Sequence, residues 1–118
     1  MGSGYASFAT GQRKKRMLEI RPNCEMCDCD LPPQATNARI CSYECTFCAA
    51  CVENVLENVC PNCAGGFVPR PIRPVQDRRP GVSRLHHPAG KERRKLKYET
   101  ANIATLVAAT RAVPPEDR

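Results

Sequence analysis

A chain of 118 residues with 5% aromatic side chains and no tryptophan suits one small domain with tails, and it excludes a large apolar core. Its formal net charge of +6 accompanies nine cysteines and eleven prolines. The longest apolar stretch, ANIATLVAAT, is too short and too polar to span a bilayer, and the basic run RKKR follows the weakly apolar start, the reverse of a secretory signal. The sequence therefore reads as a soluble, cytoplasmic protein, in a compartment that keeps thiols reduced.

Charge divides the chain. Residues 1–23 carry net +4, residues 24–66 net −5 and residues 67–118 net +7. Residues 1–16, ending in RKKR, read as a disordered basic extension, and residues 17–69 hold all nine cysteines.

With Cys29 set aside, the others run Cys24-x2-Cys27-x13-Cys41-x3-Cys45-x2-Cys48-x2-Cys51-x8-Cys60-x2-Cys63. A C-x2-C knuckle lets two thiolates reach one tetrahedral ion, and eight ligands make two closed four-sulfur sites, the usual structural zinc arrangement. Disulfides suit neither a reduced compartment nor an odd count. An iron–sulfur redox protein is the stronger rival, because CTFCAACVENVLENVCP holds C-x2-C-x2-C and a later Cys-Pro. Ferredoxin runs, however, place three residues before that cysteine where this chain has eight. A catalytic cysteine is disfavoured, since a metal-bound thiolate is not a free nucleophile and no histidine lies in the cluster.

The interval VENVLENV sets Val52, Val55, Leu56 and Val59 on one helical face. Cys48 and Cys51 then stand at a helix start, where the dipole stabilises thiolates. A knuckle, a small hairpin and a helix returning two ligands is treble-clef logic. It pairs Cys24 and Cys27 with Cys48 and Cys51 (site 1), leaving Cys41, Cys45, Cys60 and Cys63 (site 2). Sequential pairing, with 24, 27, 41, 45 in one site and 48, 51, 60, 63 in the other, stays open. Cys29 reads as a free or structural thiol, with a swap of ligands within CDC as the alternative.

The cysteine order, the short helix and the final CPNC resemble a RING finger, a cross-braced two-zinc domain. The motifs RPNCE, DLPP, ARICS, ECTFCA and VCPNC, from Met17 to about Pro74, more closely resemble the bacterial family called domain of unknown function 1272. This resemblance implies a fold and a bacterial, cytosolic setting, and no reaction. Met17 opens the resembling part, so residues 1–16 need not be natively translated. Ubiquitin-ligase RING domains use a hydrophobic groove; Met26, Val55 and Ala64 at the corresponding places support that role poorly.

Zinc changes the charge argument. Each four-thiolate site carries net −2 with its ion, which takes the core to about −9 and the chain to about +2. Metal supplies most of the stability of so short a module. Ile40, Phe47, Val52, Val55, Leu56 and Val59 are the expected core, with Leu31 and Phe67 at its edges. A short edge strand is expected at Phe67–Val68.

Residues 70–96 read as a Pro- and Arg-rich linker, an extended arm with the solvated basic run GKERRKLK. His86 and His87 read as exposed linker residues. Residues 97–113 suit a helix striped by Tyr98, Ile103, Leu106 and Val107, which Pro114 and Pro115 end; residues 114–118 read as a disordered tail. The expected whole is a small α+β, RING-like or treble-clef two-zinc module flanked by disordered basic tails. It is expected to bind a protein partner, not to be an enzyme, and to have no membrane role. The alternative partner is nucleic acid, held weakly through the Arg-rich tail, although Tyr98 stands alone without the aromatic interleaving that base stacking favours.

Overall fold

The computed structural model describes residues 17–118; the RKKR run lies outside the described residues. A hairpin comes first. Strand β1, Ala38–Ile40, pairs antiparallel with β2, Thr46–Cys48, with Arg39 opposite Phe47. Strand β3, Val68–Pro69, adds to the other edge of β1, giving the order β2-β1-β3. The expected edge strand is thus present one residue further along. Proline suits an edge, where no ladder hydrogen bond is required of its nitrogen.

Helix α1, Ala49–Cys51, leaves β2 directly, with Cys48 as its N-cap residue. It then widens into a π-helical turn over Val52–Leu56. Glu57 and Asn58 adopt left-handed backbone, with φ of 48° and 64°, so the helix stops one turn before the sequence pattern does. This corrects one expectation. Val55 is 50% exposed rather than buried, because the π turn rotates it away from the i, i+3, i+4, i+7 face. Val59 is fully buried all the same; it gets there through the turn.

Phe47, Leu31, Leu56 and Val59 are fully enclosed, with Ile40 and Val52 close to it. Phe67 packs edge-on to Phe47, ring centroids 5.4 Å apart. Cys24, Cys41, Cys45, Cys48, Cys51 and Cys60 are buried in the same cluster.

Residues 70–96 differ from the extended arm expected. Arg70 is 4% exposed and Ser83 fully buried. Arg70 Nη1 donates to the Arg21 carbonyl at 2.8 Å, and Nη2 donates to the carbonyls of Leu31 and Pro32 at 3.2 and 2.8 Å. Arg73 donates to the carbonyls of Leu18 and His87. The physical reason is that carbonyls on irregular loops need donors, and this arginine-rich segment supplies them. Helix α2, Thr100–Thr110, falls inside the expected 97–113 and buries Ile103 and Val107 against the cysteine core. Tyr98 precedes the helix and is 46% exposed. A last 3-10 turn spans Pro115–Asp117. The Arg118 guanidinium donates to the carbonyls of Asn58 and Ala64, so the terminal residues lie on the cysteine module. Among the described residues, no helix is long and apolar enough to cross a membrane.

Candidate metal centre

Two of the C-x2-C segments fold as near copies of one another. In the first, the Asp28 N–H donates to the Cys24 carbonyl at 2.9 Å and the Cys24 N–H donates to the Cys29 carbonyl at 2.9 Å. In the other, the Ala64 N–H donates to the Cys60 carbonyl at 2.7 Å and the Cys60 N–H to the Gly65 carbonyl at 2.8 Å. Asp28 and Ala64, each directly after the second cysteine, share left-handed φ values of 65° and 67°. Such turns aim backbone N–H groups at sulfur. Cys27 donates to Cys24 Sγ at 3.4 Å, Tyr43 to Cys41 Sγ at 3.3 Å and Gly65 to Cys63 Sγ at 3.4 Å. At Cys41 such a bond adds to the lowering that favours the thiolate a metal requires, whereas at Cys24 burial outweighs it and raises the thiol.

The hairpin and helix bring the knuckles together. The sulfurs of Cys24, Cys27, Cys48 and Cys51 all lie within 4.8 Å of one another, as do those of Cys41, Cys45 and Cys60. Cys27 Sγ and Cys48 Sγ are 3.7 Å apart. The two groups alternate along the chain and do not follow the sequential pairing. Cys63, expected with Cys41, Cys45 and Cys60, does not join their group; it stays half-buried with its sulfur on the Gly65 N–H. His86 and His87 join neither group. His86 Nε2 instead lies 2.8 Å from Asp77 Oδ2 on the exposed loop.

Crowded thiols cannot all ionise alike. The Cys29 backbone hydrogen bond, working against burial, brings Cys27 down to about 7. Hydrogen bonds from Cys45 and Cys60 hold Cys41 at about 3. Burial pushes Cys29 up to about 12 and raises Cys51 as well, while the bonds to Cys41 and Cys45 raise Cys60. Each group thus concentrates thiolate charge on one sulfur and withholds it from others, an imbalance a divalent cation removes. All-sulfur donors, mostly buried and braced by N–H groups, suit a soft or borderline metal ion.

Two positioning residues escape the sequence pattern. Glu25, 7% exposed, accepts the Thr46 N–H at 2.8 Å, and its own N–H donates to the Thr46 carbonyl at 3.0 Å. This clamps the first knuckle to β2, two residues before Cys48. Arg21 balances the carboxylate at 2.8 Å. Arg70 fixes the loop on the other side of the same knuckle. A buried acid inside RPNCE and an arginine between prolines give no periodic signal; only their long-range partners reveal them.

A family model described as "Protein of unknown function (DUF1272)" matches residues 17–73. An uncharacterized protein of Rhizobium meliloti (strain 1021) is 60% identical over 59 residues, which cover 50% of this chain and 70% of the relative. No solved structure matches.

Proposed function

The chain belongs to the family of proteins of unknown function DUF1272, so its role has to be read from its own cysteine groups, and we propose that it is a two-zinc, non-catalytic binding module of RING-like, cross-braced type. The observation that carries this reading is the sulfur spacing. A tetrahedral ion with metal–sulfur bonds of about 2.3 Å holds its sulfurs about 3.8 Å apart; Cys27 and Cys48 stand at 3.7 Å. An iron–sulfur cluster spreads its four cysteines over two or more irons and needs a wider cage than four sulfurs that all lie within 4.8 Å of one another.

Cys24, Cys27, Cys48 and Cys51 would hold the first ion. Cys41, Cys45 and Cys60 would hold the second, with Cys63 turning in from the Cys60 knuckle as the fourth ligand. Closed sites leave no position for substrate, which favours scaffolding over catalysis. Exposed apolar side chains such as Tyr43 and Val55, at 72% and 50%, give a protein partner something to bury.

Native mass spectrometry with elemental analysis, on protein purified without added metal, tests the reading. Two zinc ions with eight displaced protons are expected. One zinc ion means that the eight-ligand assignment is wrong, and iron with sulfide replaces the module by a redox protein. Chelation should abolish the far-ultraviolet circular dichroism of the module; a signal that survives complete metal removal contradicts a metal-dependent fold.

A further inference from the structure

The arginine- and lysine-rich segment after residue 90 does not project into solvent as a uniform basic run. Its side chains sort alternately. Arg94 and Leu96 are half-buried, and their backbone ties the segment down: the Arg94 N–H donates to Asn23 Oδ1 at 3.2 Å, and the Leu96 N–H donates to the Glu25 carbonyl at 3.0 Å. Lys91, Arg93, Lys95 and Lys97 are exposed. Among these, Arg93 is engaged, with Nη1 2.8 Å from Asp30 and Nη2 3.0 Å from Asp28. Arg93 and Arg94 therefore anchor the segment. The ammonium groups of Lys95 and Lys97 make no ion pair among the described residues and stay available.

These two lysines border a polar cleft of about 510 Å³, between the segment and the first knuckle. The Arg21–Glu25 pair and Asn62 line it, and Tyr98 closes one side. Of its cations, Arg21 and Arg94 are paired with Glu19 and Arg93 with Asp28 and Asp30, so Lys95 and Lys97 supply its free positive charge. Arg94 Nε, enclosed beside the cleft, has no hydrogen-bond partner. The volume lies within the roughly 300–1,000 Å³ typical of ligand sites.

We propose that this cleft binds single-stranded nucleic acid, with a base stacked on Tyr98 and the flanking phosphates held by Lys95 and Lys97. Two unpaired ammonium groups lining one cleft with a half-exposed aromatic ring suit a single strand, which needs a sequence-tolerant stacking platform beside positive charge. A duplex keeps its bases stacked on each other and offers none to Tyr98. The inference stands apart from the identity of the metal, because its residues are not ligands.

The test uses the full, metal-loaded chain and a short fluorescein-labelled oligouridine, followed by fluorescence anisotropy from about 50 to 200 mM salt. Wild-type protein should bind at the low end and weaken steeply with salt. Lys95→Ala/Lys97→Ala should flatten the log–log salt slope by about 1.4, two phosphate contacts at about 0.7 each on a single strand. Tyr98→Ala should weaken binding roughly tenfold without changing the slope, and Tyr98→Phe should restore it. All three side chains are exposed, so circular dichroism and metal content should match wild type. No binding at low salt, a slope unchanged in the double lysine variant, or inorganic polyphosphate competing equally with Tyr98→Ala silent would each overturn the site. So would a preference for duplex.

Discussion

Cys29 and Gly65 occupy the same place in two copies of one turn. Each carbonyl accepts the N–H of the first cysteine of its knuckle, at 2.9 and 2.8 Å, and each follows a residue in left-handed conformation. Since glycine fills this place in one copy, the turn asks for a backbone there and not for a side chain.

Cys29→Ala should therefore leave the metal count of the protein unchanged and its stability within about 0.5–1 kcal/mol. Cys27→Ser, two residues away, should lose metal from the first site. Elemental analysis beside thermal unfolding checks both. Metal lost from Cys29→Ala would make Cys29 a ligand.

Arg70 should matter for a different reason. Its buried guanidinium satisfies three carbonyls on the first knuckle and its loop. Arg70→Ala takes this donor from the Arg21 and Leu31 carbonyls, while Pro32 keeps the Ala35 N–H, and should cost about 2–3 kcal/mol. Arg70→Lys should rescue little, because a point charge cannot span the three carbonyls that the planar fork reaches. Chemical denaturation of the metal-loaded protein measures both.

Ile103 and Val107 dock α2 on the cysteine core at 5% and 4% exposure. Ile103→Ala should destabilise by about 2 kcal/mol or more. Because an isolated eleven-residue helix is marginal, hydrogen exchange across Thr100–Thr110 should rise well before exchange in the knuckles does. Uniform change across both would mean that helix and module unfold as one unit.

The Asp77 loop should open in acid. Hydrogen bonds from Ser83 and from the Gly81 N–H, with His86 alongside, hold the Asp77 carboxyl below its usual 3.8. A carboxyl lowered by folding contributes stability above its unfolded value and loses it as pH falls through the folded one. Amide protection of residues 81–87 should therefore be constant above about pH 5 and decline below pH 3.8. Asp77→Asn should remove that acid step. An unchanged step in the variant would assign it to another group.

Cysteine spacing by itself determined that sulfur would meet sulfur, because short knuckles leave few ways for the chain to fold. It left sequential pairing open beside the interleaved one; the hairpin between Ala38 and Cys48 gathers 24, 27, 48, 51 in one group and 41, 45, 60 in the other. The apolar pattern marked Phe47, Leu56 and Val59 as core. Tertiary structure alone decided the rest. Val55 left the core because the helix loosened into a π turn, a choice made by the packing around it and invisible to a 3.6-residue period. The arginine-rich stretch lay down on the module because its partners are backbone carbonyls, which every residue possesses and no sequence pattern marks. Tyr98, with its sequence neighbours Lys95 and Lys97, met Asn62 and Glu25 only because that stretch was anchored across the knuckle, and contacts between distant segments are set by the fold.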